Sequence, residues 1–471
     1  MSKKKLNKRK KKAALRQKKA KWSRDQEAKR KREAEAKSAH EEATRQLFEG
    51  PPLSKPKPLA SNSPWLAAKP NKRRLDPNVA ALNKRFDEFQ AEKDYEARIA
   101  LFIKTMDEGL MDEENAFHML TQINQQSLQY GNEGRDRLGS LVALLRERLP
   151  DVYEHDAQDY VKWLVSNAFA TNRLEDLPQL ADDVATIAGQ DLETFYDIVH
   201  QFAYHSQPVL VARLLRKAYP YLQGKSDNYP YSTAREFPAM AITYEILAYM
   251  EQHPTADVTA RLLRKRVAYY ADGAVNWDNI GKTVDDLNGR ANSEWTMADF
   301  GVEGKPPSRD FNPDYREMLN IVHFTMQFLR YLRYSEGISY SKGEQAREMI
   351  HQYLLRRQAC QLEPTKSGKR TPNRKQVTSR QAHHFFVPDA QTLDRYFSNL
   401  INSAYPQLYS MATFYQLLPA WLRYLESHHL IDGTQRDQTL DELREMNADV
   451  LKTLSRYTSE PALLEETKNA F

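Results

Sequence analysis

A single cysteine, Cys360, stands among 471 residues. One thiol excludes an internal disulfide and a cysteine-based zinc cluster, and so little cysteine fits a reducing compartment. Glycine is sparse, at 16 residues. Alternating β-branched runs, which half-buried strands need, are rare. What remains is a nearly all-α chain. No apolar run reaches the roughly 18 residues of a membrane span. The N-terminus lacks the apolar core of a secretory signal, and it is too Lys-dense and too poor in serine for a mitochondrial presequence. The expectation is an intracellular chain without a membrane partner, cytoplasmic, or nuclear in a eukaryote.

Catalytic signatures are missing too. There is no Gly-rich phosphate loop, no G-x-S-x-G, no H-E-x-x-H and no dinucleotide fingerprint. No cofactor and no metal are therefore expected. A site assembled from distant residues leaves no such trace, so an enzyme is disfavoured rather than excluded.

Acid is absent from the first 24 residues, and this turns attention to what is present. Residues 1–75 carry 25 Lys and Arg against 7 Asp and Glu, a net of +18; subtracting these from the chain totals of 69 and 63 leaves 44 basic and 56 acidic residues in 76–471, a net of −12. A basic arm precedes an acidic body, an asymmetry that points to a polyanionic partner. Lys3, Lys4, Lys5, Lys8, Arg9, Lys10, Lys11 and Lys12 repel one another and carry too few apolar neighbours to fold alone, so the arm is expected to be disordered, or helical once phosphates neutralise it. Trp22 could stack on a base. The run Lys8–Lys12 could equally be a nuclear import signal, and the whole arm a solubilising tail. Alternating charges over 25–49 read as a solvated helix with i,i+4 pairs. Residues 1–50 form this arm, and the proline-rich stretch 51–76 is a semi-extended linker. Within it, Trp65 either docks on the body or offers a short peptide to a partner.

Asp76-Pro77 opens the body with a cap followed by proline in the first turn. Apolar residues then recur at helical spacing, interrupted at Gly109, Gly131, Pro150, Pro208, Gly224, Pro254, Gly273 and Gly337. The hexapeptide ARLLRK occurs at 212–217 and again at 260–265. With an offset of 48, residues 196–221 match 244–269 at 10 of 26 positions, including Tyr196/Tyr244, Ile198/Ile246 and His205/His253. A linear binding motif would not carry its preceding helix along, so the pattern indicates duplication of a two-helix unit. Weaker echoes occur at 144–150 and 354–357. Over about 110–360 the arrangement is similar in kind to helical-repeat scaffolds, without the signatures of tetratricopeptide or ankyrin units. The body is assigned to 77–361, with an insertion at 273–312 bearing Trp277 and Trp295, and a C-terminal helical segment follows at 389–471.

On a helical wheel the ARLLRK leucines gather as core and the cations face outward. Arg213, Arg216 and Lys217, joined by Arg261, Arg264 and Lys265, would line up as an anion-binding ridge in stacked repeats. The competing reading is a solvated face paired with local carboxylates. Arg266 intrudes where the first copy has Ala218, and it requires a carboxylate or a path to water.

Residues 362–388 form a basic flexible loop. Lys366, Lys369, Arg370, Arg374, Lys375 and Arg380 lead to His383-His384-Phe385-Phe386 with no acid among them. The readings are a clamp for single-stranded nucleic acid, a metal site, or an insertion anchored by its phenylalanines. Adjacent histidines rarely share one ion, which disfavours the metal. His200 and His205 are spaced wrongly for one helix face, and His205 and His253 read as helix-end caps. The stripe Met411, Phe414, Tyr415, Leu418, Trp421, Leu422, Leu425 reads as core, in a helix that Pro419 should kink.

The chain is thus expected to be a non-enzymatic helical-repeat scaffold that binds protein partners and is tethered by its arm to nucleic acid, RNA or ribosome more than specific DNA. The alternatives are a helical nucleic-acid-processing enzyme with its site near 364–386, and a protein–protein adaptor whose tail only solubilises. The sequence does not set an oligomeric state.

Overall fold

The computed structural model describes residues 77–222, 233–254, 257–270, 276–291, 294–301, 315–359, 361–362, 385–402, 406–458 and 460–471. The chain divides into two units, Met1–Pro77 and Asn78–Phe471, and the architecture below is that of the second. The arm, the linker, Cys360 and loop residues 363–384 lie outside the described residues.

Every regular element among the described residues is helical, as expected of an all-α chain. In order they are α1 (Pro77–Ala91), α2 (Tyr95–Asp107), α3 (Glu113–Ser127), α4 (Gly131–Arg148), α5 (Pro150–His155), α6 (Ala157–Ala170), α7 (Leu177–Ile187), α8 (Leu192–Tyr204), α9 (Pro208–Leu222), α10 (Thr233–Gln252), α11 (Ala260–Val267), α12 (Trp277–Asn288), α13 (Tyr315–Tyr334), α14 (Tyr340–Gln358), α15 (Ala390–Ile401), α16 (Leu408–Ser427), α17 (Gly433–Leu454) and α18 (Pro461–Lys468). Local chemistry sets many of their starts. Asp94, Asp112, Asp191, Asn276, Ser339, Asp389 and Asp432 each accept a backbone N–H of the following first turn, a cap that contributes about 1 kcal/mol. At the end of α12, Gly289 adopts φ +72°, the left-handed stop that favours glycine. None of the described helices is long and apolar enough to cross a membrane.

The assigned insertion contains a core element. In α12, Ile280, Val284 and Leu287 are buried against α10, α11 and α13 residues, and Phe300 enters the largest core. Helix α16 runs through Pro419, and all seven residues of its predicted stripe are buried.

From α2 to α10 the helices meet mostly their chain neighbours. Helix α14 behaves differently, packing against α8, α10, α13 and α16. Gly343 permits this closeness, since a Cβ there would stand 2.7 Å from Leu329 Cδ1. The hydroxyl of Ser341 donates to the Ala203 carbonyl at 3.1 Å, and Gln345 bridges Ser410 at 3.2 Å and Thr413 at 2.8 Å. Residues near the C-terminus also reach back to α8: His205 Nε2 lies 2.6 Å from Glu460, and the Tyr204 hydroxyl donates to Glu466 at 2.7 Å. Tyr409 and Lys342 join these carboxylates at 2.7 and 2.6 Å. A strict stack of repeats touches only adjacent units, and the body departs from that pattern around α14.

Candidate functional site

The two segments that share ARLLRK each fall on a pair of consecutive helices. Tyr196 and Tyr244 sit on α8 and α10, and the hexapeptides on α9 and α11. In the first copy Leu214 and Leu215 are both fully buried. Arg213 and Lys217 converge on one carboxylate of α7, Asp182, at 2.7 and 2.6 Å. Burial works against this carboxylate, but the bonds from Lys217 and Arg213 hold it below its ordinary pKa. Arg216 reaches Glu245 of α10 at 3.0 Å. All three cations of the first copy are therefore engaged.

The second copy differs despite its identical hexapeptide. Leu263 is buried, whereas Leu262, the counterpart of Leu214, is 53% exposed. The expectation that every ARLLRK leucine is core fails here, because no described helix covers this flank as α7 covers the first. Arg261, Arg264 and Lys265 are exposed. Arg264 lies over the Trp277 ring at 5.7 Å, and neither Arg261 nor Lys265 has a carboxylate partner among the described residues. The six expected ridge cations thus form two unlike sets, one paired with local carboxylates and one without a carboxylate partner among the described residues.

Arg266 finds the carboxylate its position demanded. Its Nη1 lies 3.4 Å from Glu245, and its guanidinium covers Tyr249 at 5.3 Å. Glu245 is only 2% exposed and also accepts from the Tyr270 hydroxyl at 3.0 Å. One buried carboxylate of the second segment therefore joins Arg216 of the first to Arg266, the residue just after the second hexapeptide. Its counterpart Asp197 pairs with Lys162 of α6 at 2.5 Å, so in both copies a first-helix carboxylate takes a cation from an earlier helix. Sequence reading missed Asp182 and Glu245; the conservative match Asp197/Glu245 was the available signal.

The histidines at 155, 200, 205 and 253 each have a partner. His205, at the C-terminal cap of α8, stacks on Phe169 at 4.0 Å besides bonding Glu460. His253 places Nδ1 2.8 Å from the Tyr249 carbonyl at the end of α10. His200 Nδ1 lies 3.4 Å from Ser410 Oγ. His155 pairs with Asp156 at 3.1 Å. No cluster of three or more metal-ligating side chains lies among the described residues.

A buried ion cluster that the sequence did not single out lies on α14. Arg347 forks onto Glu344 at 2.6 and 2.8 Å and reaches Glu348 at 2.6 Å. Gln352 completes it by donating to Glu348 at 2.9 Å. Burial and then the Arg347 charge push His351 down to about 4. Two carboxylates share one guanidinium, and burial holds Glu344 above its ordinary pKa; every member stands on α14, so these bonds are internal to that helix.

The ends of the basic loop are anchored. Leu362 is buried and its carbonyl accepts from Arg395 at 2.9 Å. At the other end Phe386 is fully buried, its carbonyl accepts from the Trp421 indole at 2.9 Å, and the Val387 carbonyl accepts from Arg357 at 2.5 Å. Lys366, Lys369, Arg370, Arg374, Lys375, Arg380, His383 and His384 lie outside the described residues, as do all the arm residues from Lys3 to Trp22. A groove of about 430 Å³ between α17 and α18 is lined by Leu451, Pro461 and Leu464 with Lys452, Ser455, Glu465 and Lys468; its walls are mostly apolar and its charges mixed. No protein-family model, no curated protein and no solved structure matches this chain.

Proposed function

We propose that this chain is a non-enzymatic helical adaptor whose acidic body binds protein partners and whose basic arm tethers it to RNA through phosphates. The observation that carries the reading is the division of charge, +18 over residues 1–75 and −12 over the remainder. An arm of that density neutralises phosphates without reading sequence, while an acidic body is repelled by the same polyanion. Its like-charge repulsion keeps the body free for other partners.

The test compares the full chain with a variant in which Lys3, Lys4, Lys5, Lys8, Arg9, Lys10, Lys11 and Lys12 are replaced by Gln, titrating each with a single-stranded RNA at several salt concentrations. The wild-type affinity should fall steeply with salt, with a slope near 0.7 per phosphate contacted. The variant, whose arm falls from +18 to +10 by loss of eight cations, should show a clearly shallower slope and weaker binding. Retention of slope and affinity by the variant would sink the tether, and RNA binding by neither would leave the arm a solubilising tail. The basic loop 362–388 belongs to the same reading as a second phosphate contact, through Lys366, Lys369, Arg370, Arg374, Lys375 and Arg380.

A further inference from the structure

The two copies of ARLLRK allow an internal comparison. In the first copy α7 supplies the cover. Asp182 draws in Arg213 and Lys217, one helical turn apart, so α7 lies on the flank where Leu214 is the next residue round the helix. Ala181 and Val184 of α7 share a core with Leu214. The same side chains recur on α11 as Arg261, Lys265 and Leu262, with Leu262 53% exposed and both cations without a carboxylate among the described residues.

Resting on the adaptor reading of the body, we infer that this face of α11 docks an acidic amphipathic helix of a partner protein. Leu262 enters the apolar stripe of that helix, and Arg261 and Lys265 straddle one of its carboxylates, as Arg213 and Lys217 straddle Asp182. The complementarity is twofold: Leu262 offers apolar surface that its counterpart Leu214 buries under α7, and two cations at i and i+4 fit one carboxylate. A nucleic-acid strand would use the cations but leave Leu262 in water. The nearest rings, Tyr269 and Trp277, already carry the guanidinium groups of Arg216 and Arg264 at 4.7 and 5.7 Å, so they are poorly placed as stacking platforms.

The test uses a fluorescent peptide of residues 176–190, the chain's own α7 sequence, because that helix already covers the first copy. Its anisotropy is followed against the full-length chain carrying the eight Lys/Arg→Gln changes in the arm, which lower the arm's net charge from +18 to +10 and so weaken capture of peptide acids there; no RNA is present, so failure of the RNA tether is read separately from failure of docking. Saturable binding is expected, weakened at least about tenfold by Leu262→Asp and by Arg261→Glu with Lys265→Glu. An Asp182→Lys peptide should bind the charge-reversed chain better than the parent. Circular dichroism checks that the variants fold, which exposed positions permit. Three results would overturn the inference: no saturation up to about 1 mM peptide, binding indifferent to Leu262→Asp, or displacement of the peptide by an oligouridine that itself binds this face.

Discussion

Replacing Glu245 gives the most direct test of how the two copies are joined. Its side chain is 3% exposed, while those of its partners Arg216 and Arg266 are 39% and 40% exposed. When Glu245→Ala removes the carboxylate, both guanidinium groups can turn to water, and their lost pairing costs about 1 kcal/mol together. Tyr270 cannot turn away so easily. Its ring is buried, and an unsatisfied hydroxyl costs about 2 kcal/mol. The missing methylene and carboxyl volume adds about 1 kcal/mol. Glu245→Ala should therefore destabilise the body by about 4 kcal/mol. Glu245→Gln keeps the volume and an acceptor for Tyr270, so it should cost about 1 kcal/mol. Urea unfolding followed by far-ultraviolet circular dichroism and tryptophan fluorescence measures both, as a lowered midpoint at unchanged slope. Equal costs for Ala and Gln, or an Ala cost below about 0.5 kcal/mol, would refute the assignment of Glu245 as the joint.

The same assay reads three further outcomes. Leu214→Ala should cost about 2–5 kcal/mol and Leu262→Ala less than about 0.5, although the two leucines occupy the same place in identical hexapeptides. Lowering the pH from 7 to 4 should remove about 3 kcal/mol through His351, because its pKa is about 4 when folded and its ordinary value is 6.5. The sign follows from proton uptake: between those values the unfolded chain binds the proton and the folded chain does not, so stability rises with pH, and His351→Gln should flatten this part of the profile. Glu336, held below its ordinary value by the hydrogen bond from Arg423, contributes in the more acidic range; its stabilisation is present above the unfolded pKa and is lost as pH falls through the depressed one.

Element starts and stops were legible because their causes are local. Proline at 77, 150 and 208 opens helices α1, α5 and α9, and Gly109 and Gly337 fall between helices. The α16 stripe was legible because its periodicity runs over several turns. Helix α12 was harder to see: its buried Ile280, Val284 and Leu287 are interleaved with Asp, Asn and Lys, and three apolar residues make a weak pattern. The difference between Leu214 and Leu262 could not be read at all. Identical hexapeptides carry identical propensities, and only the presence or absence of a helix on the flank separates core from surface. The partner of Arg266 was likewise hidden, because Glu245 lies on the preceding helix and its match to Asp197 reads as a conservative substitution until both carboxylates are seen to hold cations.

The bonds between α8 and the last segment have a consequence for synthesis. His205 finds Glu460 255 positions downstream, and Tyr204 finds Glu466 262 positions downstream. At about 5–20 residues per second, the end of α8 waits tens of seconds for these partners to leave the ribosome. Helices α14 and α16, which cover the same helix, also emerge after it. The earlier helices can pair locally as they appear, but α8 must keep part of its apolar and aromatic surface open meanwhile. Closure of the body is therefore a late, long-range event in a fold otherwise rich in local contacts, and the interval before it is when a nascent chain is most exposed to misassociation.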